Sequence, residues 1–78
     1  MITIYGKENC TFCEQAKALC ESKRVEFEYL SLGVDFERED LIKTMEEEYN
    51  VLPRTMPQIV EGVYYIGGFD SLKKHLTQ

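Results

Sequence analysis

The chain has 78 residues, a formal net charge of −5, and a hydrophobic content of 44%. That length predicts one small domain, residues 1–78, because so short a chain buries only roughly 60 to 65% of the surface exposed by its unfolded form. The acidic balance and the absence of a basic run argue against a nucleic-acid partner, whose phosphates require cationic side chains.

The start of the chain carries no targeting signal that we recognise. Residues 1–5 have neither the basic start nor the long apolar stretch of a signal peptide, and no segment approaches the length of a membrane span. We therefore expect a cytoplasmic protein with no membrane partner. In that reducing compartment, cysteines at positions 10, 13 and 20 favour catalysis or metal binding over a structural disulfide framework.

The first half of the chain predicts a strand, a helix and a second strand. Ile2–Tyr5 alternates in polarity before Gly6, and Val25–Leu30 alternates apolar with acidic residues, which is typical of strands with one buried face. Between them a helix is predicted from about Thr11. Its expected apolar face comprises Phe12, Ala16, Leu19 and Cys20. Such a unit implies parallel strands joined by a right-handed crossover.

A second helix and a constrained loop follow. The helix is expected to end near Asn50 and to expose the acidic run Glu46–Glu48 to solvent. Its predicted inner face comprises Leu41, Ile42, Met45 and Tyr49. Pro53 and Pro57 exclude regular helix from the next segment, because each lacks a backbone donor and restricts the residue before it.

The end of the chain predicts an antiparallel hairpin and a short helix. Gln58–Val60 and Val63–Ile66 flank Glu61-Gly62, whose glycine suits a two-residue turn. A last helix follows, with Asp70 or Ser71 as its expected N-cap. Its apolar face comprises Phe69, Leu72 and Leu76. The complete order is βαβαββα, an α/β fold.

The stretch Cys10-Thr11-Phe12-Cys13 predicts a redox centre, because two thiols at this spacing lie between a strand and a helix. Cys10 would lie at the helix N-terminus, where the helix dipole, free backbone N–H groups and nearby Lys7 stabilise a thiolate. A weakly basic thiolate also departs readily from a disulfide. Cys13, in the first turn and turned inward, is then placed to act as the resolving thiol.

The alternative use of this cysteine pair is half of a zinc site. Such a site needs four nitrogen or sulfur ligands, and the remaining candidates are Cys20 and His75. We interpret Cys20 as a small buried apolar residue and His75 as a surface residue in the last turn of a helix. No metal is therefore expected.

Three signatures, in order along the chain, resemble the glutaredoxins, most closely the small bacterial and bacteriophage members. They are Lys7 three residues before the Cys-x-x-Cys pair, Thr55-Met56-Pro57 before a strand, and Gly67-Gly68 after the hairpin. The resemblance implies a thioredoxin fold with a four-stranded mixed sheet and flanking helices. It also implies a cis Met56-Pro57 bond, glutathione as the reducing co-substrate, and disulfides or glutathione adducts as substrates.

The resemblance also implies roles for individual residues. Cys10 would be the nucleophile and Cys13 the resolving thiol, while the extended backbone at Met56 would pair with glutathione as an added strand does. Lys7, with Arg54 or Gln58, would face the glycyl carboxylate, and N–H groups at the last helix start would take the γ-glutamyl carboxylate. The expected glutathione-binding residues are Lys7, Phe12, Arg54, Thr55, Met56, Pro57, Gly68, Phe69 and Asp70.

The sequence departs from the usual glutaredoxin residues in two places, between the cysteines and at the start of the last helix. Thr11 and Phe12 stand where the family usually has proline and tyrosine, which frees the backbone and adds a hydroxyl group near the sulfurs. Ser71 stands where the family tends to have an acidic residue, which leaves Asp70 to contact the γ-glutamyl ammonium. These departures bear on the redox poise and on the strength of glutathione binding.

The first hypothesis is a monomeric dithiol glutaredoxin that reduces protein disulfides, with ribonucleotide reductase as a candidate partner. A second is a redoxin of the same fold that is reduced by thioredoxin reductase and binds glutathione poorly, which Ser71 would permit. A third is a binding module in which Cys10 thiolates of two chains and two glutathiones hold an iron–sulfur cluster, which Thr11 would permit.

Overall fold

The order βαβαββα is confirmed by the computed structural model, which describes residues 1–77. None of the three helices described there has the length and apolar character needed to cross a bilayer. The elements are β1 (Ile2–Gly6), α1 (Thr11–Ser22), β2 (Phe27–Ser31), α2 (Arg38–Tyr49), β3 (Gln58–Glu61), β4 (Tyr64–Gly67) and α3 (Phe69–Thr77).

The four strands form one mixed sheet in the order β2-β1-β3-β4. β1 pairs with β2 in parallel, with Ile2 opposite Phe27, as the predicted βαβ unit requires. β3 runs antiparallel to both β1 and β4. The loops that follow the parallel strands β1 and β2 therefore meet at the same edge of the sheet.

The helices cover the sheet on both faces. Side chains alternate along β1, so Ile2 and Ile4 join one core cluster and Tyr5 packs against the other. The cluster on the α1 and α3 face comprises Ile2, Ile4, Ala16, Cys20, Ile59 and Leu72. The cluster on the α2 face comprises Leu41, Met45 and Val60, with half-buried aromatic residues around them.

Two strand predictions are wrong by one or two residues. The hairpin turn is Gly62-Val63 rather than Glu61-Gly62, because Glu61 still pairs with Tyr64 across the strands. Gly62 has a φ of +59°, and Val63 is 96% exposed. β2 begins at Phe27 rather than at position 25, because the N–H of residue 25 donates to the carbonyl at the end of α1.

Helix boundaries agree with the sequence at α2 and differ at α3. α2 is followed by Asn50 in the left-handed conformation, with a φ of 55°, as expected for the end of a helix. α3 begins earlier than predicted, because the Leu72 N–H donates to the Gly68 carbonyl, 3.0 Å away. Asp70 and Ser71 therefore lie within its first turn, and the expectation that one of them is the N-cap is wrong.

Candidate active site

The two cysteines of the Cys-x-x-Cys pair occupy the junction between β1 and α1. Cys10 is the N-cap of α1, with the extended backbone angles that this position requires (φ −121°, ψ 106°). Cys13 follows in the first turn, and a disulfide joins the two residues across a Cα–Cα distance of 5.2 Å. Cys13 is fully buried, whereas Cys10 is half-buried, so Cys10 presents the more accessible sulfur.

Two backbone groups lie next to the Cys10 sulfur. The Cys13 N–H donates to Cys10 Sγ at 3.2 Å, which is the interaction that favours a thiolate at a helix N-terminus. The Met56 carbonyl oxygen lies 4.0 Å from the same sulfur. The Met56-Pro57 peptide bond is cis, as the family resemblance implied. The redox sulfur thus lies between the start of α1 and the loop that leads into β3.

A groove of about 350 Å³ runs from this loop to the start of α3. It brings together many of the residues predicted to bind a ligand. The lining residues are Phe12, Thr55, Met56, Pro57, Gly68, Phe69, Asp70 and Ser71. The rings of Phe12 and Phe69 stack with centroids 6.1 Å apart and form one wall. The groove therefore joins the redox loop to the N-terminus of a helix, where backbone N–H groups favour an anion.

Phe12 corrects the predicted apolar face of α1. It is 56% exposed, so it does not belong to the core. The buried face instead comprises Cys13, Ala16 and Cys20, whose spacing is also helical. Because Phe12 turns away from the sheet, its ring is available to the groove.

A second, smaller pocket of about 150 Å³ shares Thr55 and Met56 with the groove. It contains Lys7 and Arg54, both predicted to face a carboxylate, and also Arg38, which sequence reasoning missed. The apolar lining residues are Leu32, Leu41, Ile42, Pro53 and Met56. The topology could have indicated Arg38, because the segments after parallel strands β1 and β2 meet at one edge.

Gln58 does not face this pocket, contrary to one of the two options considered from the sequence. It is 4% exposed, and its Nε2 donates to the Thr55 carbonyl at 2.8 Å. Its Oε1 accepts a hydrogen bond of 2.7 Å from the Tyr65 hydroxyl. Both ends of the amide are occupied inside the protein, so the carboxylate-facing role is wrong for this residue.

The other candidate zinc ligands lie in different surroundings. Cys20 is buried in the aliphatic core, where burial and then the neighbouring Glu21 carboxylate raise the pKa of its thiol. His75 is half-buried and lies 2.8 Å from Glu61 Oε1, with Tyr64 stacked on its ring. Within residues 1–77, no group of three or more His, Cys, Asp or Glu side chains is placed to hold a metal ion.

The geometry defines a class of protein. Cys10, joined to Cys13 by a disulfide, is the N-cap of the first helix of a thioredoxin fold, and its accessible sulfur lies beside the loop that leads into β3, which is the arrangement of a dithiol thiol-disulfide oxidoreductase. The glutaredoxin family model matches residues 2–65, and the chain belongs to that family.

Individual relatives agree with this assignment. The chain is 40% identical over 72 residues to glutaredoxin 3 of Escherichia coli strain K12, a match that covers 91% of this chain and 80% of that protein. The crystal structure of glutaredoxin 1 from Francisella tularensis in complex with cacodylate superposes with a TM-score of 0.79. That match has 26% identity and covers 99% of this chain and 96% of the other. The buckwheat glutaredoxin–glutathione complex shares the fold, with a TM-score of 0.75, 23% identity, and coverage of 95% of this chain and 66% of the other.

Proposed function

We propose that this protein uses glutathione to reduce protein disulfides and glutathione mixed disulfides. One observation carries the proposal: the Cys10 sulfur abuts the backbone of Met56, which borders both the groove and the cationic pocket. A tripeptide disulfide-bonded to Cys10 would therefore have a binding surface on either side of its own sulfur. The buckwheat glutaredoxin–glutathione complex, which shares the fold, is consistent with this use of it.

The charges of glutathione match the two ends of this surface. Its glycyl carboxylate would lie in the pocket with Lys7, Arg38 and Arg54, which supplies local positive charge in a protein of net charge −5. Its γ-glutamyl carboxylate would accept from N–H groups at the start of α3, near Phe69 and Asp70. The Asp70 carboxylate would then face the γ-glutamyl ammonium, and the Met56 backbone would pair with the cysteinyl unit.

The disulfide exchange proceeds by successive displacements at sulfur. The Cys10 thiolate attacks a substrate disulfide, forms a mixed disulfide and releases one substrate thiolate, which takes up a proton. Cys13 then attacks Cys10 Sγ, releases the second substrate thiolate and closes the disulfide seen here. The N–H of Cys13 lowers the basicity of the Cys10 sulfur and makes it a better leaving group in the steps that free it.

Two glutathione molecules complete the cycle. The first attacks the accessible Cys10 sulfur, releases the Cys13 thiol and forms a glutathione–Cys10 mixed disulfide. The second attacks the glutathione sulfur of that adduct, releases the Cys10 thiolate and leaves as glutathione disulfide. Two electrons and two protons pass from two glutathione thiols to one substrate disulfide, which becomes two thiols.

Replacing single cysteines tests these roles. Cys10→Ser should abolish glutathione-dependent turnover of both substrate classes, because no other accessible thiol can attack. Cys13→Ser should still remove glutathione from mixed disulfides but lose the reduction of protein disulfides. Cys20→Ser is the matched control and should retain both activities, because that thiol is buried in the core. Full activity in Cys10→Ser would overturn the proposed mechanism.

The electron source separates the first hypothesis from a redoxin served by thioredoxin reductase. Ser71 lines the groove where the family tends to have an acidic residue, and this observation favours that second candidate. We expect purified protein to turn over with glutathione and poorly with NADPH and thioredoxin reductase. Efficient turnover with the reductase alone, and none with glutathione, would establish the second candidate instead.

The remaining parts of the proposal concern partners and assembly. We propose that residues 1–78 act as a single domain and as a monomer in the cytoplasm, with ribonucleotide reductase among the protein substrates. The iron–sulfur alternative requires two chains, because each would supply one Cys10 thiolate. Anaerobic reconstitution with iron and sulfide should leave a colourless monomer, whereas a brown dimer with visible absorption would support the cluster-binding module.

A further inference from the structure

The buried amide of Gln58 has a role beyond filling space in the core. Gln58 opens β3 and lies beneath the Thr55–Pro57 loop, and each end of its side chain is hydrogen-bonded. A buried polar side chain costs free energy unless its partners are held in place. An aliphatic side chain would fill the same volume without that requirement, so the position of these two bonds merits a functional explanation.

The two hydrogen bonds form a chain that ends at the Thr55 carbonyl, one residue before the backbone group that lies beside the redox sulfur. The Tyr65 hydroxyl donates to Gln58 Oε1, and Gln58 Nε2 donates to the Thr55 carbonyl. Residue 56 follows directly, and its carbonyl oxygen lies 4.0 Å from Cys10 Sγ. A side chain on β4, under α2, is thus connected through three hydrogen-bonding groups to the loop beside the disulfide.

The Tyr65 hydroxyl supports one orientation of the Gln58 amide. Its ordinary pKa of 10.0 keeps it protonated at neutral pH, burial raises that pKa further, and it is therefore able to donate. The Thr55 carbonyl can only accept, so the NH₂ end of Gln58 faces it and Oε1 faces Tyr65. The opposite amide orientation would place Oε1 and the Thr55 carbonyl, two acceptors, against each other. The Tyr65 hydroxyl, by donating to Oε1, adds a second hydrogen bond that holds the glutamine in this orientation under the loop.

We propose that Gln58 and Tyr65 are positioning residues for glutathione: together they fix the Thr55 carbonyl and so hold the Met56 backbone in register with the Cys10 sulfur. This inference rests on the proposed function, in which the Met56 backbone pairs with glutathione. Neither side chain touches the ligand. Gln58 and Tyr65 act instead on the shape of the loop surface that glutathione contacts.

Three variants isolate this effect. Tyr65→Phe removes only the terminal hydroxyl, and Gln58→Met removes both hydrogen bonds while keeping an unbranched side chain of similar length. Tyr49→Phe is the matched control. The Tyr49 hydroxyl donates to the Gly62 carbonyl at 2.6 Å, and its ring packs 6.3 Å from that of Tyr65. Tyr49→Phe therefore also loses one tyrosine hydroxyl hydrogen bond, but the acceptor of that bond is in the hairpin turn and not in the Thr55–Pro57 loop.

The kinetic expectation is a change in KM without a matching change in kcat. In Tyr65→Phe and in Gln58→Met, the KM for glutathione should rise about fivefold, the equivalent of one typical hydrogen bond, while kcat changes less than about twofold. Tyr49→Phe should retain the parent KM. Because Tyr65 acts through Gln58, the double variant should show the KM of Gln58→Met alone rather than the product of the two effects.

A second measurement does not depend on glutathione. The backbone order parameters of Thr55 and Met56, from relaxation of the reduced protein, should fall from about 0.85 toward about 0.6 in Tyr65→Phe and Gln58→Met. They should remain at the parent value in Tyr49→Phe. If the parent protein shows no glutathione turnover, the proposed function fails, and these order parameters still decide whether the two residues hold the loop.

The inference is overturned by either of two results. One is an unchanged order parameter at both loop residues in Tyr65→Phe and Gln58→Met. The other is a glutathione KM in those variants equal to that of Tyr49→Phe, even if all three lose the same stability, because the side chains would then be merely structural. Independent, multiplicative effects in the double variant would likewise overturn the claim that Tyr65 acts through the glutamine.

Discussion

The two faces of the sheet differ in how their tyrosine hydroxyl groups are hydrogen-bonded. The buried centre is aliphatic on both faces, with Ile4, Ile59 and Leu72 under α1 and α3 and Leu41, Met45 and Val60 under α2, and aromatic side chains pack around each centre. On the α2 face Tyr49 and Tyr65 donate hydrogen bonds to neighbouring groups, whereas on the other face the Tyr29 hydroxyl has no partner among residues 1–77. The α2 face borders the cationic pocket, because Leu41 and Met56 belong both to its cluster and to the lining of that pocket, whereas Phe69, packed against the other cluster, lines the groove.

The two halves of the active site, the cysteine helix and the Thr55–Pro57 loop, are therefore held in different ways. The cysteine helix is anchored by close packing, which is strong but has no preferred direction. The cis-proline loop is held by hydrogen bonds, which are individually weaker but specify orientation. Substitutions on the first face should therefore act on stability, whereas those on the second should act on stability and on the loop.

The largest predicted effect comes from truncating matched leucines on the two faces. Leu72→Ala should reduce the free energy of unfolding by about 3 to 4 kcal/mol, because this side chain is fully enclosed and leaves a cavity. Leu41→Ala should cost about 2 kcal/mol, because that residue lines an open pocket which water can enter. Urea denaturation measures both values. Equal losses would show that the two faces pack alike.

Alkaline pH should weaken the α2 face more than the other. Burial, the largest cause in each case, raises the pKa of Tyr5, Tyr49 and Tyr65, and of Tyr29 on the α1 face, above the ordinary value of 10.0. The folded protein therefore holds these protons more tightly than the unfolded chain. Stability is fully retained below about pH 10 and is lost as the pH rises through the folded-state values.

The urea midpoint, followed from about pH 8 to about pH 11, measures this loss. A variant with phenylalanine at positions 5, 49 and 65 should show a much flatter decline than the parent protein. Tyr29→Phe, which removes only one such group, should decline nearly as steeply as the parent. The reverse order of slopes would contradict the assignment of the alkaline loss to the α2 face.

The smallest predicted effect is a change in the free energy of unfolding that has opposite signs on the two faces. The Tyr29 hydroxyl is buried without a hydrogen-bond partner among residues 1–77, whereas the Tyr49 hydroxyl is bonded to the Gly62 carbonyl. Tyr29→Phe should therefore stabilise the protein by about 1 kcal/mol, and Tyr49→Phe should destabilise it by about as much. Thermal and urea unfolding of the two variants provide the comparison, and a loss of stability in Tyr29→Phe would refute it.

Much of the fold was predictable because it depends on local patterns. Periodicity located all seven elements of βαβαββα, and the cysteine pair marked the start of α1. The errors at the hairpin turn and at the α3 cap are of one or two residues. Each of these boundaries is decided by a single strand pair or backbone hydrogen bond, which residue periodicity does not locate. Phe12 was misplaced because two overlapping helical stripes fit the same sequence, and only the packing of Cys13, Ala16 and Cys20 selects between them.

The cysteine pair was predictable from its spacing and its place before a helix, whereas the residues around it were predictable only where the family resemblance supplied them. Composition could not place Arg38 beside Lys7, because their proximity depends on the parallel pairing of β1 and β2. Gln58 was considered for the ligand surface as one of two options, with Arg54, that the family resemblance implied. Its burial depends on a partner seven positions away, Tyr65, which pairs with Val60 two residues further along β3 and so lies on the same face of the sheet as Gln58.

The ionisation of Cys10 is the property on which the proposed activity depends most directly. The thiolate absorbance of the reduced protein, followed against pH with Cys10→Ser as the reference, measures it without a substrate. The N-cap position and the Cys13 N–H predict a midpoint well below about 8.5, the ordinary value for a cysteine, so that the thiolate predominates at neutral pH. A midpoint at or above about 8.5 would contradict helix-assisted activation of this sulfur.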